Sequence, residues 1–354
     1  MAQSFLRRCI TKQMVLRPVQ TFILATTIII FFIVLFGTKI FKQSSHVKIA
    51  RQSGIYSPDI SHLQNRIMDH LKKDSGITES TRIETFLFVL VLTAPKSLQR
   101  RKVIRETWIG QSKIKTFVTR FVIGGKTLSS EERKSLDSEN KRYGDLLILE
   151  NLEDGYKRLS LKVLETIKWI DSNVDCSYVL KVDDDSFVRL DLLVNELKTV
   201  YNQDNLYWGF FRGDANVKKR GPWAEKNWIL CDHYLPYADG GGYVLASKLV
   251  RFVARNSELL QLYNSEDVSL GAWLAPLKIH RVHDTRFNTE YRSRGCNNKH
   301  LISHKQSVED MKDKYSSLEE TDNLCREEIE EMRSFEYDWK VPPSQCCKRT
   351  YGLP

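Results

Sequence analysis

The amino-acid sequence predicts an α/β domain with a mostly parallel central sheet over residues 83–354, preceded by one membrane-spanning helix and a polar stem. Three observations carry this expectation. From residue 86 onward, short apolar runs alternate with helical stretches, the pattern of parallel strands joined by crossover helices. One uncharged apolar stretch lies near the start, at residues 18–38. Between the two, residues 39–82 are polar and contain Gly54, Pro58 and Gly76, as a linker does.

Taken in order, residues 1–17 form a basic tail and residues 18–38 a signal anchor. Phe22 to Phe36 is almost continuously apolar, and with its uncharged flanks approaches the ~20 residues that span hydrocarbon. A cleaved signal peptide ends in a small-residue site, which Gly37-Thr38-Lys39 matches poorly. Four basic residues precede the anchor and four follow it, so charge does not orient it. The stem holds one short amphipathic stretch around Ile60 to Leu71. Strands are then expected at Phe86–Leu92, Phe117–Ile123, Asp145–Leu149 and Ser177–Val182, with helices at Gln99–Trp108, Ser129–Tyr143 and Tyr156–Ile170. In the last helix Leu159, Val163, Ile167 and Ile170 make one apolar face. The second half is less regular. Its aromatic cluster at Leu206–Phe211, its Gly240-Gly241-Gly242 turn and its polar stretch from Thr285 to Lys305 read as loop-rich connections or binding surface.

Charge excludes one function class. The chain carries a net +10, but eight basic residues and no acid fall in the first 53, leaving the other 301 at +2. A nucleic-acid binder concentrates its cations on the folded domain, so no nucleic-acid partner is expected. At 42% apolar residues the chain has ample material for a core. Six cysteines follow the anchor: Cys176, Cys231, Cys296, Cys325, Cys346 and Cys347. None shows zinc-site spacing. In an oxidising compartment they imply up to three disulfides, and in a cytosolic enzyme, buried thiols. Because neighbours are closer than the preferred Cα separation of about 4.4 to 6.8 Å, Cys346 and Cys347 are each expected to pair elsewhere.

The strongest chemical signal is the apolar strand that runs straight into Asp183, Asp184 and Asp185. Adjacent carboxylates at a strand's C-terminal end repel one another, and a hard divalent cation relieves this while taking its remaining ligands from phosphate. Alone, an acidic triplet is equally a solvated loop; the buried strand before it favours the metal. Glu266 and Asp267 open an apolar helix, either as ordinary capping or as a carboxylate that accepts a proton from a hydroxyl. Gly240, Gly241 and Gly242 suit a tight turn or a close backbone approach to a ligand. His304 precedes Ser307-Val-Glu-Asp310, a capping-box pattern, and an imidazole suits Mn²⁺ better than Mg²⁺. Five histidines lie between 233 and 304, so residue chemistry does not choose among them.

Together, Arg101-Lys-Val-Ile-Arg-Glu-Thr-Trp108, Lys181-Val-Asp-Asp-Asp-Ser-Phe187, Tyr237-Ala-Asp-Gly-Gly-Gly-Tyr-Val-Leu245 and Glu266-Asp-Val268 resemble, in order and spacing, the β-1,3-glycosyltransferase family that includes β-1,3-galactosyltransferases and Fringe proteins. Further segments at 207–211, 265–276, 289–296 and 337–347 resemble the branch that builds the glycosaminoglycan linkage region of heparan and chondroitin sulfate proteoglycans. The resemblance covers about residues 86 to 350. It implies a GT-A fold and a single-pass type II Golgi membrane protein with a lumenal catalytic domain. It also implies Mn²⁺ and transfer of galactose from UDP-galactose to a galactosyl-xylosyl-serine acceptor on a proteoglycan core protein. By the family's motifs, Asp267 is the catalytic base and Asp185 and His304 are the metal ligands. Asp183, Asp184, Arg101 and Arg105 would support the donor, with Gly240, Gly241, Gly242, Glu266 and Trp208 close to substrate. The rivals are an N-acetylglucosaminyl- or N-acetylgalactosaminyltransferase of the same family, and a Golgi lectin that keeps the fold without turnover. The retained acids and His304 speak against the lectin.

Overall fold

The computed structural model describes residues 82–349 apart from 111, 222 and 223. The tail, anchor and stem expected at 1–82 thus lie almost wholly outside the described residues, among which no helix is long and apolar enough to cross a membrane. The described residues all belong to one compact unit.

Strand β1 (Ile83–Leu92) sits near the middle of a seven-stranded sheet. On one side it pairs in parallel with β2 (Phe117–Gly124), which pairs in parallel with β3 (Leu146–Leu149). On the other it pairs in parallel with β4 (Val174–Asp183). Past β4 the sheet turns antiparallel through β7 (Tyr237–Ala246) and β6 (Leu206–Arg212), and β8 (His280–His283) closes the edge parallel to β6. The four-strand parallel half matches the expected crossover pattern. Leu87 through Val91 are all at most 1% exposed, without alternation, because helices cover both faces of a parallel sheet.

The three helices expected at 99–108, 129–143 and 156–170 are present, the third after a single 3-10 turn at Tyr156–Arg158, and the helices at Leu190–Thr199 and Ser247–Arg255 are not among those expected. Helix α1 (Leu98–Ile104) continues into a π-helical turn at Arg105–Ile109. Helix α2 (Ser130–Tyr143) is held at its start by a Ser129–Glu132 capping box and at its end by Gly144 at φ 66°, a left-handed backbone that glycine adopts without strain. Helix α3 (Leu159–Asn173) buries Val163, Ile167 and Ile170. Next come α4 (Leu190–Thr199), α5 (Ser247–Arg255), α6 (Glu266–Leu274) and α7 (Val308–Thr321). The last has the expected capping box, between Ser307 and Asp310.

Three expectations need correction. The aromatic cluster at Leu206–Phe211 is strand β6, fully buried on both faces, because its large side chains fill the core between flanking layers. Gly240, Gly241 and Gly242 lie inside β7 rather than in a turn, since the sheet there runs against side chains that leave no room for Cβ. Among the described cysteines two disulfides form, Cys296–Cys325 and Cys346–Cys347, so the two neighbours do not pair elsewhere. The other thiols are out of play: Cys176 is buried in β4, and Cys231 donates to the His233 carbonyl on an exposed loop.

A small second sheet positions the site. Strand β5 (Phe187–Val188) pairs antiparallel with β11 (Ile302–Ser303), which pairs in parallel with β9 (Phe287–Asn288). This lays residue 304 across the turn that follows β4, although more than a hundred residues separate them in sequence.

Candidate active site

Strand β4 ends at Asp183, and the chain turns tightly there, with the Ser186 amide donating to the Asp183 carbonyl. The three carboxylates consequently point in different directions. Asp184 accepts from Thr93 Oγ1 at 2.7 Å and faces Arg100 Nε at 3.8 Å; burial nevertheless pushes its carboxyl above the usual range. Asp185 and Asp183 both approach His304, whose Nε2 stands 3.0 Å from Asp185 Oδ1 and 3.6 Å from Asp183 Oδ2. Burial alone would raise Asp185, but His304, Lys305 and Arg100 outweigh it and bring the carboxyl to about 2.

His304 is fixed from behind. Its amide donates to the Asn288 carbonyl at 3.0 Å, and Nδ1 lies 3.3 Å from the Thr289 carbonyl. With Nδ1 facing an acceptor, Nε2 is the nitrogen turned towards the acids. It is buried and makes no hydrogen bond, although two carboxylates stand near. The ligand atoms of Asp183, Asp185 and His304 all lie within 4.8 Å of one another, so the three can hold a metal ion. A divalent cation fits this set: it supplies the partner that a buried nitrogen lacks and relieves the repulsion between the two carboxylates.

The acids open onto a cleft of about 570 Å³ at the C-terminal ends of β1, β2 and β4, where open α/β sheets take ligands. Its walls include residues 92–97, Arg100 at the start of α1, Asp154 to Tyr156, Lys162 and Lys305. Arg101 and Arg105 do not line it. Arg101 is 1% exposed and forks onto Glu139 at 2.8 and 2.7 Å. Arg105 forks onto Asp145 at 2.8 Å for both bonds and stacks 4.1 Å over Tyr143. Both tie α1 to α2, one helical turn apart on the buried face. Their neighbour Arg100, rotated about 100° around the helix, is the guanidinium that reaches the cleft. Trp208 also lies away from the substrate side: fully buried, it donates to Asp284 at 3.0 Å and packs on Phe287.

On the other side of β7 lies the second carboxylate pair. Asp267, in the first turn of α6, accepts from the Gly240 amide at 3.0 Å and from the Val268 amide at 2.8 Å. Burial, then the neighbouring Glu266 and Asp239, push its carboxyl up to about 7. Glu266 accepts from Tyr243 and faces Lys181 Nζ at 3.1 Å. The glycines make this proximity possible. A Cβ on Gly240 would come within 3.0 Å of Glu266 and 3.3 Å of Asp267, and one on Gly241 within 2.4 Å of His304. Consecutive residues of one strand therefore touch Asp267 and His304, the expected base and one expected metal ligand.

Sequence reasoning missed three residues. Lys162 bonds the Thr93 carbonyl at 2.6 Å and both oxygens of Asp154, whose Oδ2 also accepts from the Gly124 amide. A cation on the apolar stripe of α3 is the signal that marks it. Arg100 stands in the helical stretch expected at Gln99–Trp108 and Lys181 inside the motif Lys181–Phe187, but their directions depend on helix phase and strand register.

The galactosyltransferase family pattern matches residues 99–285 of this chain. β-1,3-Galactosyltransferase 6 of Mus musculus is 48% identical over 278 residues, 77% of this chain and 86% of that protein. Probable β-1,3-galactosyltransferase 1 of Arabidopsis thaliana is 29% identical over 271 residues, 71% of this chain and 70% of that protein. Of solved structures, galactosyltransferase LgtC in complex with donor and acceptor sugar analogues aligns at a TM-score of 0.34 and 14% identity, over 61% of this chain and 86% of that one. That likeness is too slight to carry function. A family pattern spanning over half the chain, together with a mouse relative identical at 48% of positions along most of its length, makes this chain a member of the galactosyltransferase family.

Proposed function

We propose that the protein is an inverting β-1,3-galactosyltransferase that moves galactose from UDP-galactose to the galactose of Gal-β-1,4-Xyl-Ser on proteoglycan core proteins. We place it in the Golgi membrane, anchored by residues 18–38, with residues 83–354 in the lumen. One observation carries the chemistry: a metal-competent cluster and a half-buried carboxylate raised to about 7 contact adjacent residues of β7. The name of the mouse relative supports the linkage and the sugar.

UDP-galactose is an α-glycoside and the product a β-glycoside, so a single displacement suffices. Asp267 takes the proton of the acceptor 3-hydroxyl as its oxygen bonds to C1, while the C1–oxygen bond to UDP breaks. A carboxyl poised near neutral pH is both ionised enough to accept that proton and basic enough to drive the transfer. Asp183, Asp185 and His304 would hold the cation, with the imidazole favouring Mn²⁺. Bound there, the ion supplies Lewis-acid neutralisation of the diphosphate. Arg100 and Lys305 add positive charge at the same end of the cleft. Asp184, held by Thr93, shapes the cleft wall.

The test is product analysis of the full-length protein with UDP-galactose, UDP-N-acetylglucosamine and UDP-N-acetylgalactosamine, each against galactosyl-xyloside and other sugar acceptors. A β-1,3-linked galactose on galactosyl-xyloside is the expected product. Transfer of an N-acetylhexosamine instead, or UDP release that no acceptor stimulates, would overturn the assignment.

A further inference from the structure

Lys181 lies two residues before the acidic turn, in the middle of the sheet, and is 2% exposed. A buried ammonium needs compensation, and this one has three partners. Its Nζ donates to Asp183 Oδ1 at 2.8 Å, to Glu266 Oε2 at 3.1 Å and to the Gly240 carbonyl. The partners belong to different parts of the site. Asp183 is in the metal-competent cluster, Glu266 precedes Asp267, and the Gly240 amide donates to Asp267.

We propose that Lys181 is a positioning residue that joins the donor cleft to the base: its ammonium fixes Asp183, Glu266 and the Gly240 peptide relative to one another, and its charge offsets that of Glu266 beside Asp267. The inference rests on the reading of Asp267 as general base. Sequence alone gives no hint of it, because an alternating strand offers residue 181 to either face.

The geometry sets Lys181 against Glu266, while Arg212, 3.2 Å from Asp239 Oδ2, is set against the other acid that acts on Asp267. Glu266 on α6 and Asp239 on β7 are the acids around it. Tyr237 and Tyr243 on β7, Tyr207 on β6 and Tyr234 in the preceding loop complete the surroundings, all pushed up by burial and so neutral at working pH. Removing Lys181 leaves Glu266 without its cation while Asp239 keeps Arg212, and the proton on Asp267 is then held more tightly.

The experiment is the pH dependence of kcat/KM for the full-length protein and for Lys181→Met, Glu266→Gln and the double variant Lys181→Met/Glu266→Gln. The wild-type profile comes first. Absence of transfer, or of an acidic limb, would sink the base reading itself rather than this inference. Given that limb, Lys181→Met should move it up by about one pH unit, a tenfold loss at pH values below it, with a smaller loss on the plateau. Glu266→Gln should move it down, and the double variant should lie between the two. If Lys181→Met fails to fold, the double variant, which removes the buried charges as a pair, still decides: its limb must lie above that of Glu266→Gln. An unmoved limb in folded Lys181→Met, or coincident limbs for Glu266→Gln and the double variant, would overturn the proposal.

Discussion

The Gly240 amide donates to Asp267 Oδ2 at 3.0 Å, so the expected base is held by the backbone of a central strand rather than by a mobile side chain. Its neighbour Val268 supplies a second amide, at 2.8 Å. Asp267→Asn keeps the size of the side chain but offers one oxygen where two amides donate, so it should lower thermal stability modestly while the protein stays folded. Turnover should fall by about 10²- to 10⁴-fold, the usual worth of a general base. The wild-type rate should also carry an acidic limb near the value of about 7 to which burial, Glu266 and Asp239 raise Asp267. The sign follows from the role: the ionised form accepts the proton, so activity is full above the limb and falls about tenfold per unit below it. A pH–rate profile flat from about pH 5 to 9, or near-normal turnover in a folded Asp267→Asn, would remove Asp267 from the mechanism.

Gly241 tests the closeness of strand and imidazole. A Cβ there would lie 2.4 Å from His304 Nδ1 and 2.9 Å from its Cβ. The imidazole is wedged between β7 and the Thr289 carbonyl, so it has little room to retreat. Gly241→Ala should destabilise the fold by about 1–3 kcal/mol, as overpacking does, and weaken metal activation by displacing His304. Thermal melts and a metal titration read the two effects separately. Unchanged values for both would mean that the strand and the histidine are less tightly opposed than described.

Arg100 and Arg101 are adjacent in sequence and opposite in consequence. Arg101→Met strands Glu139, which is 7% exposed and would keep only Arg105, in a buried ion pair whose breakage costs about 3–5 kcal/mol. Its effect should be a lowered Tm with donor KM little changed in the surviving protein. Arg100 is partly exposed, makes a 3.8 Å contact with Asp184 and lines the cleft. Arg100→Ala should therefore leave Tm near wild type and raise the donor KM. The reverse pattern would return the donor role to Arg101.

How far the sequence was legible follows from what kind of information each residue needs. The acidic run could be read because an apolar strand and three carboxylates are neighbours in sequence, and the parallel half of the sheet because its strands and helices alternate. His304 needed the family resemblance: only the pairing of β11 with β5 brings it to Asp185, and four other histidines offered the same chemistry. Arg101 was taken for a donor contact from the family's motif, which carries the residue type and not the helix phase that turns Arg101 onto Glu139. Trp208 was read as surface because an aromatic run lacks the alternation that marks one buried face, and β6 buries both. The glycine run was read as a turn for a similar reason: glycine reports that something is close, not what. Here it is Asp267 on one residue and His304 on the next.

The metal cluster gives the last prediction, because its two kinds of ligand make a test beyond chelation. In the proposed site Asp183 and Asp185 would be hard oxygen ligands that serve Mg²⁺ and Mn²⁺ alike, whereas the His304 imidazole would favour Mn²⁺. Mn²⁺ should then activate at lower concentration than Mg²⁺. His304→Ala should weaken Mn²⁺ activation and narrow its advantage, since the nitrogen ligand that discriminates is gone. Asp185→Ala should do worse with both ions. It removes a charged ligand and leaves the diphosphate poorly neutralised when the leaving group departs. Removing Asp185 also frees Lys305, whose Nζ lies 3.6 Å from it, to approach the phosphates, so a small metal-independent rate should persist in that variant. The measurement is activity against each ion for wild type and both variants, with thermal melts to establish that each is folded. Full wild-type activity in EDTA would remove the cation from the reaction, and an unchanged Mn²⁺ titration in folded His304→Ala would remove His304 from the cation.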